Sequence, residues 1–240
     1  MLSEDQQALF GLVNYAASEL NALQRVYIGL SHSVVSEPWL DATILIQRNS
    51  ILRVWSAKIF EFFDCIEQLV NKKGLDAVVR NLVDEAEREL VQLRADDGYA
   101  LVRNVRHEAT NHFSFKAAKK NLPYLADHAD CNLYLHELDG NSYYPMGEEL
   151  MFIARLNRHG ANLSSKEEKA KALDDWMEWN FKANAWVRKF HLAVFKRVLD
   201  GQVPDRFARE TWKWVDPVLV ADTSPPTAPL FLRKTAPCSA

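Results

Sequence analysis

Apolar residues recur along this chain at steps of three and four for most of its length, which is the spacing of one face of an α-helix. Ser3 is placed to cap a first helix whose stripe runs Leu9, Leu12/Val13, Ala16, Leu20, Leu23, Tyr27 and Leu30. Ser36-Glu37-Pro38 punctuates the pattern, with Pro38 suited to a first helical turn. From Trp39 to Lys73 there is neither Gly nor Pro, and Leu40, Ile44, Ile51, Trp55, Ile59, Phe62/Phe63, Ile66 and Leu69/Val70 keep helical step. Gly74 ends that run as a C′ residue. Residues 76–94 repeat the pattern with an acidic outer face at Asp84, Glu85, Glu87 and Glu89. Asp96-Asp97-Gly98 breaks it, and a fourth helix is predicted from near Tyr99, burying Leu101/Val102, Val105 and Ala109.

Beyond this point the period shifts. Residues 115–128 predict a short helix interrupted at Pro123. Between Cys131 and Tyr144 apolar residues alternate about Asp139-Gly140-Asn141, the pattern of a β-hairpin. Tyr143-Tyr144 at its end is a candidate partner surface. A helix around 147–158 follows, stopped by Gly160. Ser164-Ser165-Lys166-Glu167-Glu168 opens a last helix reaching to Leu199, whose apolar set moves after Asn184, so a bend or burial on two sides is expected. The aromatics Trp176, Trp179, Phe181, Trp186 and Phe190 fall at helical spacing, which favours core packing over a ligand stack.

The expected fold is therefore all-α: an antiparallel helical bundle of four or five long helices, with a small β-hairpin insertion and a long C-terminal helix. The bundle spans residues 1–200, with the hairpin near 131–145. Residues 201–240 hold Pro204, Pro217, Pro225, Pro226, Pro229 and Pro237, six of the nine prolines, and read as an extended tail. Trp212 and Trp214 suggest that its first half packs on something. Glycine is scarce, 8 in 240 residues, which fits long helices with few turns. No run of apolar residues is long enough to span a membrane. The N-terminus lacks the basic and apolar regions of a secretion signal. Three well-separated cysteines, Cys65, Cys131 and Cys238, fit a reduced, cytoplasmic protein without a disulfide framework.

Several chemistries find no support. There is no GxGxxG, no GxxxxGK[ST] and no GxSxG. His107-Glu108-Ala109-Thr110-Asn111 has Asn where the HExxH zinc motif needs its second His. No Glu has His three residues later, as a di-iron bundle requires. No metal site and no cofactor are expected.

Charge singles out one segment. The formal charge of the chain is −3, yet residues 103–120 carry Arg103, Arg106, Lys116, Lys119 and Lys120 against Glu108 alone. That is +4 in one stretch, leaving −7 on the rest. A basic island in an acidic protein suits a phosphate-bearing ligand. An ordinary solvated helix face would look the same. Asn104, His107, Asn111 and His112 lie within it.

Arg106-His107-Glu108-Ala109-Thr110-Asn111-His112 resembles the motif of the HEPN superfamily: an Arg, a polar residue after it, and a His beyond four to six intervening residues. The resemblance covers roughly residues 99–116, together with the all-helical layout. It implies a metal-independent RNA endonuclease, of the kind found in toxin and antiviral systems, or a non-catalytic relative that binds a partner or nucleotide through the basic 103–120 face. On the catalytic reading Arg106 and His112 are the catalytic residues, and Arg103, His107, Asn111 and Lys116 bind substrate. RNA, a second copy of the chain and an antitoxin are the partners so implied. Six positions along an ideal helix turn about 600°, leaving Arg106 and His112 about 120° apart in azimuth and about 9 Å apart along the axis. On a straight helix they do not share a face. An unwound turn, a long reach by Arg106 or a homodimer interface would bring them together.

Overall fold

The structure, a computed structural model, describes residues 2–30, 38–96, 98–103, 114–135, 139–163, 165–200 and 215–216. The described chain is mostly helical. Long helices α1 (Glu4–Gly29), α2 (Pro38–Asn71) and α3 (Ala77–Arg94) come first, and residues 98–103 are helical. Short α4 (Phe115–Asn121) runs into a 3-10 turn at Leu122–Tyr124, where Pro123 sits in the first turn. Next come α5 (Pro145–Glu148), a π turn (Glu149–Ile153) and α6 (Ala154–Arg158), which continue one another. Helix α7 (Lys166–Phe195) ends in a second π turn, Lys196–Asp200.

The predicted starts are made by side chains. Ser3 accepts from the Gln6 N–H while the Gln6 side chain reaches back to the Ser3 N–H, and Ser165 and Glu168 repeat this capping box at α7. Asp76 caps α3 by accepting from the N–H groups of Val78 and Val79. Gly74 follows α2 with φ +74° and Gly160 follows α6 with φ +88°, both in the left-handed region that favours glycine.

Paired residues give the helix directions. Tyr27 meets Arg48, Glu19 meets Lys58 and Asp5 meets Lys72, so α1 and α2 run antiparallel. Asn184 bonds Asn21, His191 bonds Asn14 and Phe195 packs on Phe10, so α7 runs antiparallel to α1. Trp179 Nε1 donates to the Leu93 carbonyl, Lys189 pairs with Glu89 and Arg197 with Glu85, so α3 and α7 are also antiparallel. Of the acids expected on the outer face of α3, Glu85 and Glu89 thus rim its seam with α7, while Asp84 and Glu87 pair with Arg80 and Arg94 of their own helix. Between these helices Trp55, Phe63, Trp176 and Trp179 are fully buried and Trp186 and Phe190 nearly so, a core rather than a ligand stack. Burial of such aromatics is the main stabilising term. Helix α7 takes core contacts from α1, α2 and α3, and burial on several sides accounts for the shift of its apolar set near Asn184 without a break in the helix. Gly98 lets the chain touch α7: a Cβ there would lie 2.9 Å from the Asp175 carbonyl oxygen.

The hairpin expected at 131–145 is seen as a single antiparallel bridge, Tyr134 with Tyr143, and no strand extends from it among the described residues. Residues 139–141 form a 3-10 turn, and residues 136–138 lie outside the described set. Tyr143 is not a partner surface: its ring is buried, stacks on Tyr134 at 4.7 Å between centroids, and is hydrogen-bonded to Thr43 of α2. Tyr144 is exposed. The expected tail lies outside the described residues except Val215 and Asp216, both exposed. No described helix is long and apolar enough to cross a membrane.

Candidate functional site

Of the six candidate site residues, Arg103 and Lys116 are described. Arg103, the last residue of the helical stretch 98–103, is exposed, and so is Lys116 on α4. Lys119 and Lys120 are exposed on the same helix, with Lys119 Nζ 4.7 Å from the centroid of the Phe115 ring. Helix α4 starts at Ser114, whose hydroxyl accepts from the Ala117 N–H. Its far end is fixed by Asn121, which is fully buried and donates through Nδ2 to the Leu150 carbonyl at 3.0 Å. The cations of α4 therefore project from a helix anchored on the π turn. Arg106, His107, Asn111 and His112 lie outside the described residues.

The described residues also form a cleft of about 820 Å³ that the sequence reading did not single out. Ala42, Leu45, Ile46 and Asn49 of α2 make its floor. Pro145, Glu148, Glu149 and Ile153 form one wall, and Lys169, Ala170 and Leu173 of α7 the other. The segment 128–134 is its rim, held to α2 by the Tyr134–Tyr143 pair. A π turn in an α-helix often marks a functional position, and this one carries Glu149 and Ile153 into the cleft.

The polar groups of the cleft are tightly tied. Glu148 Oε1 accepts from Arg53 Nη1 at 2.6 Å and from Asn49 Nδ2 at 2.9 Å. Arg53 is held further by Ser50 Oγ at 3.0 Å and lies over the Phe152 ring. Lys169 Nζ donates to both oxygens of Glu149, each at 2.9 Å. These pairs are mostly buried, where a lone charge would be costly, so each carboxylate keeps its cation. The arrangement favours binding over proton transfer. Among the described residues no group of three or more His, Cys, Asp or Glu could hold a metal ion.

One signal for this cleft was present in the sequence. Leu45, Leu52, Ile59 and Ile66 recur every seven residues on α2, and Asn49 and Ser56 stand in the same stripe where apolar residues are expected. A polar residue at a core position needs a partner, and Asn49 found Glu148. No protein-family model matches the sequence, and no curated protein or solved structure matches it.

Proposed function

We propose that the protein is a metal-independent RNA endonuclease of the HEPN kind, working as a homodimer in the cytoplasm as a toxin or phage-defence effector, with an antitoxin as its counterpart. One observation carries the reading: the Arg106…His112 motif is flanked in sequence by Arg103, Lys116, Lys119 and Lys120, all exposed. The mainly helical fold agrees with the family layout. The carboxylates of the cleft, all paired or on its rim, offer no competing catalytic centre.

The chemistry follows from the residue types. A neutral His112 imidazole takes the proton of a ribose 2′-hydroxyl, a task that suits histidine because its unperturbed pKa is near 6.5. The 2′-oxygen attacks the adjacent phosphorus, the bond to the 5′-oxygen breaks, and a 2′,3′-cyclic phosphate is left. Arg106 holds the non-bridging oxygens through its planar fork as negative charge builds on them. The departing 5′-oxygen needs a proton, and one imidazole cannot give and take at once. A second copy of the chain supplies another imidazole, which is one reason to expect a dimer. Arg103, His107, Asn111 and Lys116 hold the RNA strand.

The test is cleavage of a mixed-sequence RNA in EDTA. Wild-type protein is expected to cut it, and Arg106→Ala or His112→Ala to lower the rate by about 100-fold or more with an unchanged circular dichroism spectrum. Intact RNA after incubation with wild-type protein would overturn the nuclease reading. Retention of intact RNA or of a protein partner would then favour a non-catalytic binding module. One observation speaks for that alternative, since Phe115 is 79% exposed beside Lys119, a mixed apolar and cationic surface.

A further inference from the structure

We infer that the cleft between α2, the π turn and the start of α7 binds a small molecule with an apolar body and a cationic amine or amidine head. This does not depend on the nuclease reading, because it uses none of the residues between 103 and 120.

Size and lining come first. At about 820 Å³ the cleft lies within the range of small-molecule sites. Its floor and walls are largely aliphatic, with Asn49, Glu148, Glu149 and Lys169 as their polar groups, and such a lining divides affinity from orientation.

The head group is assigned by which polar atoms are already used. Both cations at the cleft are committed: Arg53 to Glu148 and Ser50, and Lys169 to both oxygens of Glu149. An anion would have to break one of these pairs to be held. One acceptor, by contrast, is left over. Glu148 Oε2 takes none of the bonds that hold Oε1. A carboxylate oxygen left without a donor is best met by one that carries positive charge, since charge-assisted hydrogen bonds are the stronger kind. With Arg53 offsetting Glu148 and Lys169 offsetting Glu149, the cleft keeps one carboxylate in excess, Asp130, so a positively charged donor is favoured over a neutral one.

Two indole compounds of one shape and opposite charge test this directly. Tryptamine ends in an ammonium group and indole-3-propionate in a carboxylate on the same two-carbon arm. Titrated into full-length ¹⁵N-labelled protein, tryptamine is expected to give saturable amide shifts at residues 42–49, 148–153 and 169–173. Indole-3-propionate is expected to bind about ten-fold more weakly or not at all. Ala170 is an exposed residue on the wall, and Ala170→Trp fills the cleft from the solvent side. That variant is expected to abolish the tryptamine shifts while keeping the wild-type melting temperature. Shift mapping on the wild type stands alone if Ala170→Trp folds poorly. Equal binding of the two probes would overturn the assignment of the head group. Absence of saturable shifts with tryptamine, or shifts confined to residues outside the cleft, would overturn the site.

Discussion

Ser56 sits where α2 meets α7, completely buried, and both hydrogen-bonding directions of its hydroxyl are used. It donates to Asn180 Oδ1 at 3.0 Å and accepts from Trp176 Nε1 at 2.8 Å. Ser56→Ala removes one oxygen but strands two buried groups, so the expected loss is about 2–4 kcal/mol rather than the ~1 kcal/mol of an average hydrogen bond. Urea unfolding followed by tryptophan fluorescence measures it, and a loss under ~1 kcal/mol would mean that water replaces the hydroxyl. The polar interruption at Ser56 is legible in the sequence, as it is at Asn49. The partner is not, because Asn180 and Glu148 lie 124 and 99 residues away and only packing brings them in. Asp76 shows the same limit. Burial works against its charge, but hydrogen bonds from Gln6, the Val79 and Val78 N–H groups and Ser3 hold its carboxyl below the ordinary carboxylate range. The Arg197 fork does so for Glu85, and Lys182 with the Gly98 N–H for Asp96. A depressed folded-state pKa contributes stability above the unfolded value, about 4, and that contribution is lost as pH falls through the folded value. The melting temperature is therefore expected to hold at neutral pH and to fall below about pH 5. Asp76→Asn keeps a good cap and should flatten part of that acid limb. An unchanged acid limb would show that Asp76 takes no part in it.

Elements with strong local signals were readable from sequence, and those defined by distant contacts were not. Both capping boxes and the helix stops at Gly74 and Gly160 follow from short-range chemistry. The helix near 147–158 was also legible, but its π turn was not, since nothing local demands it. What holds the turn is nearly thirty residues upstream: Asn121 Nδ2 on the Leu150 carbonyl. The alternation around 139–141 promised a hairpin, yet only one bridge forms, and Tyr143 turns inward to Tyr134 and Thr43. Asn121→Ala should therefore act at a distance. It deletes the tie between α4 and the π turn, with an expected loss of about 1–3 kcal/mol. Hydrogen exchange should quicken in two separate stretches, 114–121 and 149–153, while α1 and α7 stay protected. Faster exchange in α4 alone would mean that the turn keeps itself in place.

At the scale of the molecule, charge is divided between two regions with different tasks. The rest of the chain carries −7 once residues 103–120 are set aside, and Asp5, Glu19, Glu85 and Glu89 are held in pairs across the α1–α2 and α3–α7 seams. The +4 of residues 103–120 was legible from composition alone, and the described cations there, Arg103, Lys116, Lys119 and Lys120, are exposed as a solvated basic face requires. How Arg106 and His112 meet is not something spacing can give, because their azimuths diverge on a straight helix. Asn49 marks a buried polar position in the sequence, but the 820 Å³ cleft could not be drawn from it for a related reason: its lining comes from four segments that no local pattern links. If the basic face guides RNA, affinity must depend on counterion release, falling with log salt by about 0.7 per phosphate neutralised on a single strand. Lys116→Glu, Lys119→Glu and Lys120→Glu combined reverse three exposed charges, so the melting temperature should barely move. Single-stranded RNA affinity should drop by more than about ten-fold at low salt, and the salt slope should shrink by about 2. Fluorescence anisotropy across a salt series reads both quantities. A lower affinity with the slope intact would mean that the triple variant acts through shape rather than charge, and an affinity that does not change would remove α4 from the path of the nucleic acid.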